Sequence, residues 1–192
     1  RQRQMCIRDS YMTAVAAAGG EVLIRNVIPK HLECITAKLL EMGVDVEERD
    51  DAVLVRRHGK LTRTNVKTLP YPGFPTDCQP QLMSLCAVSR GLTTVREEIF
   101  ESRFTHKNDL IKMGADIETC GKNAIIKGVK TLKGADVSAM DLRGGAALVI
   151  AGLMAEGKTV VRNAFHVQRG YEDLEEGLRA LGGFIETKRE ET

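Results

Sequence analysis

Leu40-Glu41-Met42-Gly43-Val44-Asp45-Val46-Glu47, Ile111-Lys112-Met113-Gly114-Ala115-Asp116-Ile117-Glu118 and Ala180-Leu181-Gly182-Gly183-Phe184-Ile185-Glu186 are variants of one phrase. Their glycines at 43, 114 and 182 lie 71 and 68 residues apart. Each phrase has a matching opening upstream: Gly20 before EVLIRN, Gly91 before LTTVRE and Gly157 before KTVVRN. The opening-to-closing distances are 23, 23 and 25 residues, and Arg25, Arg96 and Arg162 each follow an opening glycine by five. Self-similarity at a fixed period marks a repeated supersecondary unit.

The unit can be spelled out. Residues 21–25, 92–96 and 158–162 are short β-branched or apolar runs after a glycine and predict strands. Residues 31–42, 105–113 and 170–181 place apolar side chains at helical spacing with charges between, which predicts amphipathic helices. The glycine that follows each suits a left-handed helix end. Strand pairs then follow at 44–48 with 52–57 and at 115–119 with 123–127. Before each opening glycine runs a helix of another kind, at 11–18, 78–89 and 142–155, made of apolar or small residues all round. Such a helix must be buried on nearly all sides. The predicted class is α/β: buried helices inside, sheets outside, in about two and a half units. Their expected boundaries are 11–66 for a partial first unit, 67–133 for the second and 134–192 for the third, which stops after one strand of its closing hairpin. Residues 1–10, with three arginines and no periodicity, read as a non-native or disordered tail. The end from Lys188 to Thr192 is expected to fray.

Composition narrows the function. The 192 residues are 43% hydrophobic and 28% charged, an ordinary globular balance. A net charge of +2, with no Trp and 4% aromatics, argues against nucleic acid as a partner. No apolar run is long enough to span a membrane, and no leader pattern is present. Five scattered cysteines without CxxC argue against zinc and a disulfide framework and favour a cytoplasmic location. The four histidines show no metal spacing, and neither a P-loop nor GxGxxG occurs.

A few residues depart from the repeat. Asp77 and Asp141 open buried helices, and helix capping alone would account for both. Asp77, however, follows a stiff segment with three prolines and a glycine between Pro70 and Pro75. Stiffness is what a site needs to hold one carboxylate in place as a general base. Arg103 and Arg169 each lie twelve residues after an opening glycine, where the first unit has Leu32. A residue type that changes between repeats is not demanded by the repeat's fold. Arg143 lies in the first turn of a helix, where a cation is unfavourable unless it meets an anion. An ordinary salt bridge would account for each arginine as well. Arg25, Arg96 and Arg162 recur in every unit and read as structural surface residues.

Pro72-Gly73-Phe74-Pro75-Thr76-Asp77-Cys78-Gln79, Phe100-Glu101-Ser102-Arg103-Phe104, Asp141-Leu142-Arg143 and Arg169-Gly170-Tyr171-Glu172 form an ordered set that resembles the UDP-N-acetylglucosamine enolpyruvyl transferases. The likeness covers residues 11–187 and the C-terminal portion of such enzymes. It implies βαβαββ units arranged as an inside-out α/β barrel, here incomplete. It also implies transfer of the enolpyruvyl group of phosphoenolpyruvate to the 3′-hydroxyl of UDP-N-acetylglucosamine with release of phosphate, the committed step of peptidoglycan precursor synthesis. By the same resemblance Asp77 is the base on that hydroxyl and Asp141 serves the proton transfers. Ile99 contacts the nucleotide sugar, and Arg103, Arg143 and Arg169 hold the anionic groups. No cofactor or metal is implied. The resemblance places a reactive-cysteine loop and a phosphoenolpyruvate-gripping lysine-asparagine pair in an N-terminal lobe absent from this sequence, so the chain alone is expected to be inactive. Gln168 stands where such enzymes often carry Asp, and Gly144-Gly145 where some carry an Ala-Ser type pair. An enolpyruvylshikimate-phosphate synthase relative, or a repeat scaffold without catalysis, are the alternatives; a scaffold has no need for these charged residues on one rim.

Overall fold

The computed structural model of the chain describes residues 2–101, 103–171 and 174–188. The first unit comprises α1 (Gln2–Ala18), β1 (Gly20–Arg25), α2 (Glu33–Glu41), β2 (Asp45–Glu48) and β3 (Ala52–Arg57). The second comprises β4 (Val66–Lys67), α3 (Gln79–Ala87), β5 (Leu92–Arg96), α4 (Lys107–Lys112), β6 (Asp116–Cys120) and β7 (Asn123–Lys127). The third comprises β8 (Leu132–Lys133), β9 (Asp136–Ser138), α5 (Leu142–Met154), β10 (Ala155–Glu156), β11 (Val160–Arg162), α6 (Phe165–Gln168) and α7 (Leu174–Ala180). The second unit thus contains the whole βαβαββ order. Its sheet runs β4-β5-β7-β6, with β4 parallel to β5 and the other pairs antiparallel. The first unit's sheet runs β1-β3-β2, antiparallel throughout. In the third, β8 and β9 pair in parallel with β10 and β11.

Helices without a polar face have one stable place, against each other. All nine residues of α3 are buried, and α1, α3 and α5 pack together as the centre of the chain. Leu82, Met83, Leu85 and Leu148 are fully enclosed there, each worth about 1.5–3 kcal/mol of burial. The sheets cover this centre with alternate residues: in β7, Ala124 and Ile126 face in while Ile125 and Lys127 face out. Each amphipathic helix ends at a glycine in the left-handed region, Gly43 at φ +81°, Gly114 at +91° and Gly182 at +90°, a conformation costly for any residue with a Cβ.

Two expectations changed. The helix expected at 11–18 starts at Gln2, so the segment read as a tail is helical from there, with Ser10 buried and its hydroxyl donating to the Tyr171 hydroxyl at 2.9 Å. The single closing strand expected at the end of the third unit is missing among residues 182–188. A strand needs a ladder partner; here the Ile185 carbonyl accepts instead from the Arg179 guanidinium, at 3.0 Å from Nη2. Of the segment expected to fray, residues 189–192 lie outside the described part.

The glycine pair of α5 is a packing requirement at one of its two positions. A Cβ on Gly145 would stand 2.4 Å from Val167 Cγ2 and 2.9 Å from Ala139 Cβ. Gly145→Ala is expected to destabilise the chain by about 1–3 kcal/mol despite the better helix former, a change read from urea unfolding monitored by circular dichroism.

Candidate functional site

α3 and α5 lie side by side, so the loops that enter them share one rim. The loop before α3 is shaped by its own sequence. Leu69 N–H donates to the Phe74 carbonyl at 3.0 Å, Gly73 N–H donates to Pro70 at 2.8 Å, and Phe74 is buried beneath them. Only glycine fits at 73, because a Cβ would stand 2.4 Å from Leu69 Cβ. Asp77 then falls in a short 3-10 turn, Thr76–Cys78, with no capping bond to a helix amide.

Its carboxylate serves two cations instead. Asp77 Oδ1 accepts from Arg103 Nη2 at 2.7 Å, and Oδ2 accepts from Arg143 Nη2 at 3.0 Å. Capping therefore does not account for Asp77, whereas it does describe Asp141. Asp141 Oδ1 accepts from the Arg143 and Gly144 amides at 2.9 and 2.8 Å, and Oδ2 from the Thr105 hydroxyl at 3.0 Å. The salt-bridge account of Arg103 and Arg143 is correct as far as it goes, but both bridge the same acid from two different units. Like charges converge there only because an anion lies between them.

These side chains line a cleft of about 380 Å³ formed by Asp77, Arg103, Thr105, Asp141, Leu142 and Arg143. A second cleft of about 340 Å³ is bounded by Met140, Asp141, Leu142, His166, Arg169 and Gly170. Asp141 and Leu142 form the wall common to both, so Arg169 stands one hollow away from Arg143. Ile99 lines neither; it sits in an exposed turn, its amide donating to Glu97 Oε1 at 2.9 Å. Ser102 and Glu172, members of the sequence motifs, lie outside the described residues.

The electrostatics follow from this geometry. Partial burial pushes the Asp77 carboxyl up, but bonding and charge from Arg143 and Arg103 outweigh it and hold it below the ordinary 3.8. Asp141 is likewise lowered: loss of water raises it, and the Gly144 amide, the Thr105 hydroxyl and the Arg143 amide more than compensate. Both acids are anions at neutral pH.

The chain matches the family model described as EPSP synthase (3-phosphoshikimate 1-carboxyvinyltransferase) over residues 9–178. The chain belongs to that family. Among curated relatives it is 55% identical over 176 residues to the UDP-N-acetylglucosamine 1-carboxyvinyltransferase of Clostridium botulinum, covering 92% of this chain and 42% of the relative. It is 51% identical to the protein of the same name from Desulfofundulus thermocisternus, of which it covers 72%. Among solved structures, the enolpyruvyl transferase NikO from Streptomyces tendae superposes with a TM-score of 0.80 at 29% identity, over 92% of this chain and 43% of NikO. EPSP synthase from Acinetobacter baumannii shares the fold, with a TM-score of 0.78 at 20% identity, over 96% of this chain and 47% of that one. The chain therefore spans under half the length of the Clostridium relative and of both structures, and it has the α/β architecture of enolpyruvyl transferases without a closed barrel.

In this EPSP synthase family chain, sequence reasoning missed three residues around the cleft. Thr105 bonds Asp141. His106 is fully buried behind Gly144, and burial lowers its pKa to about 4, so it is neutral at physiological pH. Glu97 is buried beneath the Ile99 turn. None recurs in the repeat, and departure from the repeat was the one available signal. Among the described residues no His, Cys, Asp or Glu cluster is arranged to hold a metal, and no helix is long and apolar enough to cross a membrane.

The lowered Asp77 pKa has a signed consequence. Its stabilising contribution is complete above pH 3.8 and is lost as pH falls through the lower folded-state value. Asp77→Asn should melt below the wild type at pH 7, with two guanidinium groups left facing each other. The difference should narrow below pH 3.8 as the wild-type carboxyl protonates, as read from melting temperatures across a pH series.

Proposed function

We propose that this chain is part of a cytoplasmic transferase that moves the enolpyruvyl group of phosphoenolpyruvate to the 3′-hydroxyl of UDP-N-acetylglucosamine and releases phosphate, the committed step of peptidoglycan precursor synthesis. The observation that carries this reading is one carboxylate gripped by two guanidinium groups from separate units, beside a second carboxylate on the same cleft. The names and the 48–55% identity of the curated relatives favour the UDP-sugar substrate over a shikimate one.

In the proposed reaction the sugar oxygen bonds to the enolpyruvyl carbon. The hydroxyl proton passes to Asp77 while a proton adds to the methylene carbon. Loss of a methylene proton, the second proton transfer, then restores the double bond as the bond to the phosphate oxygen breaks and phosphate leaves. A carboxylate held by two arginines is a weak base. The anionic donor resolves this difficulty, because it competes for the same guanidinium groups. Each charged bond that shifts from Asp77 to the donor raises the Asp77 pKa and improves it as a base. Binding of one substrate thus activates the group that deprotonates the other. Arg143 and Arg103 then face negative charge that grows on the departing phosphate. Arg169 extends the positive field into the neighbouring hollow, Asp141 serves the second proton transfer, and Ile99 offers an apolar contact to the sugar nucleotide. The N-terminal lobe completes the cleft and excludes water.

In a chain joined to its N-terminal lobe, Asp77→Asn is expected to cut phosphate release by about 10²–10⁴-fold. UDP-N-acetylglucosamine should still bind, as read by calorimetry. Near-normal turnover of that variant would remove Asp77 from the chemistry. The present chain alone is expected to release no phosphate; clear turnover by it would show that the missing lobe is dispensable.

A further inference from the structure

Glu97 is 1% exposed, and among the described residues no cation pairs with it. Burying an anion this way is costly unless donors surround it. Four do. Oε1 accepts from the Thr68 hydroxyl at 2.7 Å, the Ile99 amide at 2.9 Å and the Phe100 amide at 3.2 Å, and Oε2 accepts from the Thr76 hydroxyl at 2.9 Å. The Thr68 oxygen also accepts from the Glu98 amide at 2.9 Å, so this hydroxyl links Glu97 to the turn that follows it.

The repeat shows that the fold does not require this residue. The positions that follow Arg25 and Arg162 hold Asn26 and Asn163, at φ +57° and +55°. The second unit alone puts a glutamate after its arginine, outside that left-handed conformation. It is also the unit that contributes both Asp77 and Arg103.

The contacts close a circuit. Glu97 holds the Phe100 amide, and the Phe100 ring lies 4.6 Å from the Arg103 guanidinium carbon, a cation–π separation. Arg103 donates to Asp77, and the residue before Asp77, Thr76, donates back to Glu97. We propose that Glu97 is a positioning residue: its buried carboxylate ties the loop carrying Asp77 to the loop carrying Arg103 and so sets the geometry of that pair. Its consequence for catalysis rests on the reading of the cleft given above; the tie itself does not.

The test uses this chain with Thr76→Val and, separately, Glu97→Gln. Thr76→Val deletes one hydroxyl at nearly constant volume; Glu97→Gln replaces one accepting oxygen with a donor. Carboxyl-carbon NMR titration of Asp77 is the readout, with the melting temperature as the control for folding. The titration midpoint is expected to rise by about 0.5–1 pH unit in each variant as the Arg103 contact loosens, with melting within a few degrees of wild type. A folded variant with the midpoint unmoved overturns the proposal. In the unmodified chain the Ile99 and Phe100 amides should exchange slowly with solvent although their side chains are exposed; rapid exchange of both overturns the proposal without recourse to any variant. Calorimetry with UDP-N-acetylglucosamine on the same samples separates the two readings: a raised midpoint supports the role of Glu97 whether or not the nucleotide binds, and loss of nucleotide binding in the wild type bears on the substrate alone.

Discussion

Three helical segments with almost no polar face have to bury one another, and the layout of this chain follows from that constraint. α3, α5 and the 11–18 half of α1 cannot lie on a surface, because they carry mostly apolar or small residues all the way round, unlike the 2–10 half of α1 with its arginines and Asp9. Their mutual packing puts the sheets outside and leaves the entry loops of α3 and α5 on a common rim. Ser84, midway along α3, donates to the Ala147 carbonyl of α5 at 2.8 Å, which fixes the two helices in register. The close approach at Gly145 belongs to the same packing. With the helices in register, Asp77 and Arg143 meet although 66 residues separate them.

Asp77 and Asp141 formally balance Arg103 and Arg143 in the first cleft, and Arg169 in the neighbouring hollow leaves the rim one positive charge in excess. In the proposed function such a rim attracts polyanions, and the lowered Asp77 carboxyl is the base held in reserve. The proposed activation of Asp77 by the arriving donor uses that arrangement: the same two cations that stabilise the fold by pairing with Asp77 are the ones an anionic substrate would draw away. Under that proposal stability and reactivity are coupled through one acid.

The repeat was legible as a pattern in its central strands and glycines, though not in the short strands β4, β8 and β9 or in α6. The strands at 92–96 and the hairpin at 116–120 with 123–127 sit within one residue of their expected places, because glycine positions and apolar alternation are local properties. The N-terminal helix and the end of the third unit were not legible in this way. Residues 2–10 lack helical periodicity, and Ser10 is held by Tyr171 from 161 residues away. The closing strand has the right composition but no described ladder to join. The site was legible where a residue broke the repeat, as Arg103 and Arg169 do against Leu32. Glu97 broke it as well, yet nothing in the sequence shows that its carboxylate is turned inward.

From the amino-acid order alone come the α/β class, the period of the units, the burial of three helices and a short roster of charged residues out of place. These rest on interactions between residues near in sequence, or on the water-aversion of whole segments, and neither needs a third dimension. Only the tertiary structure decided which acid caps a helix and which one bridges two arginines, that Arg169 occupies a neighbouring hollow, and that Glu97 is turned inward. Those outcomes depend on which loops the packed helices bring within hydrogen-bonding reach, and a hydrogen bond fails over a displacement of about 1 Å, far finer than any sequence spacing can resolve.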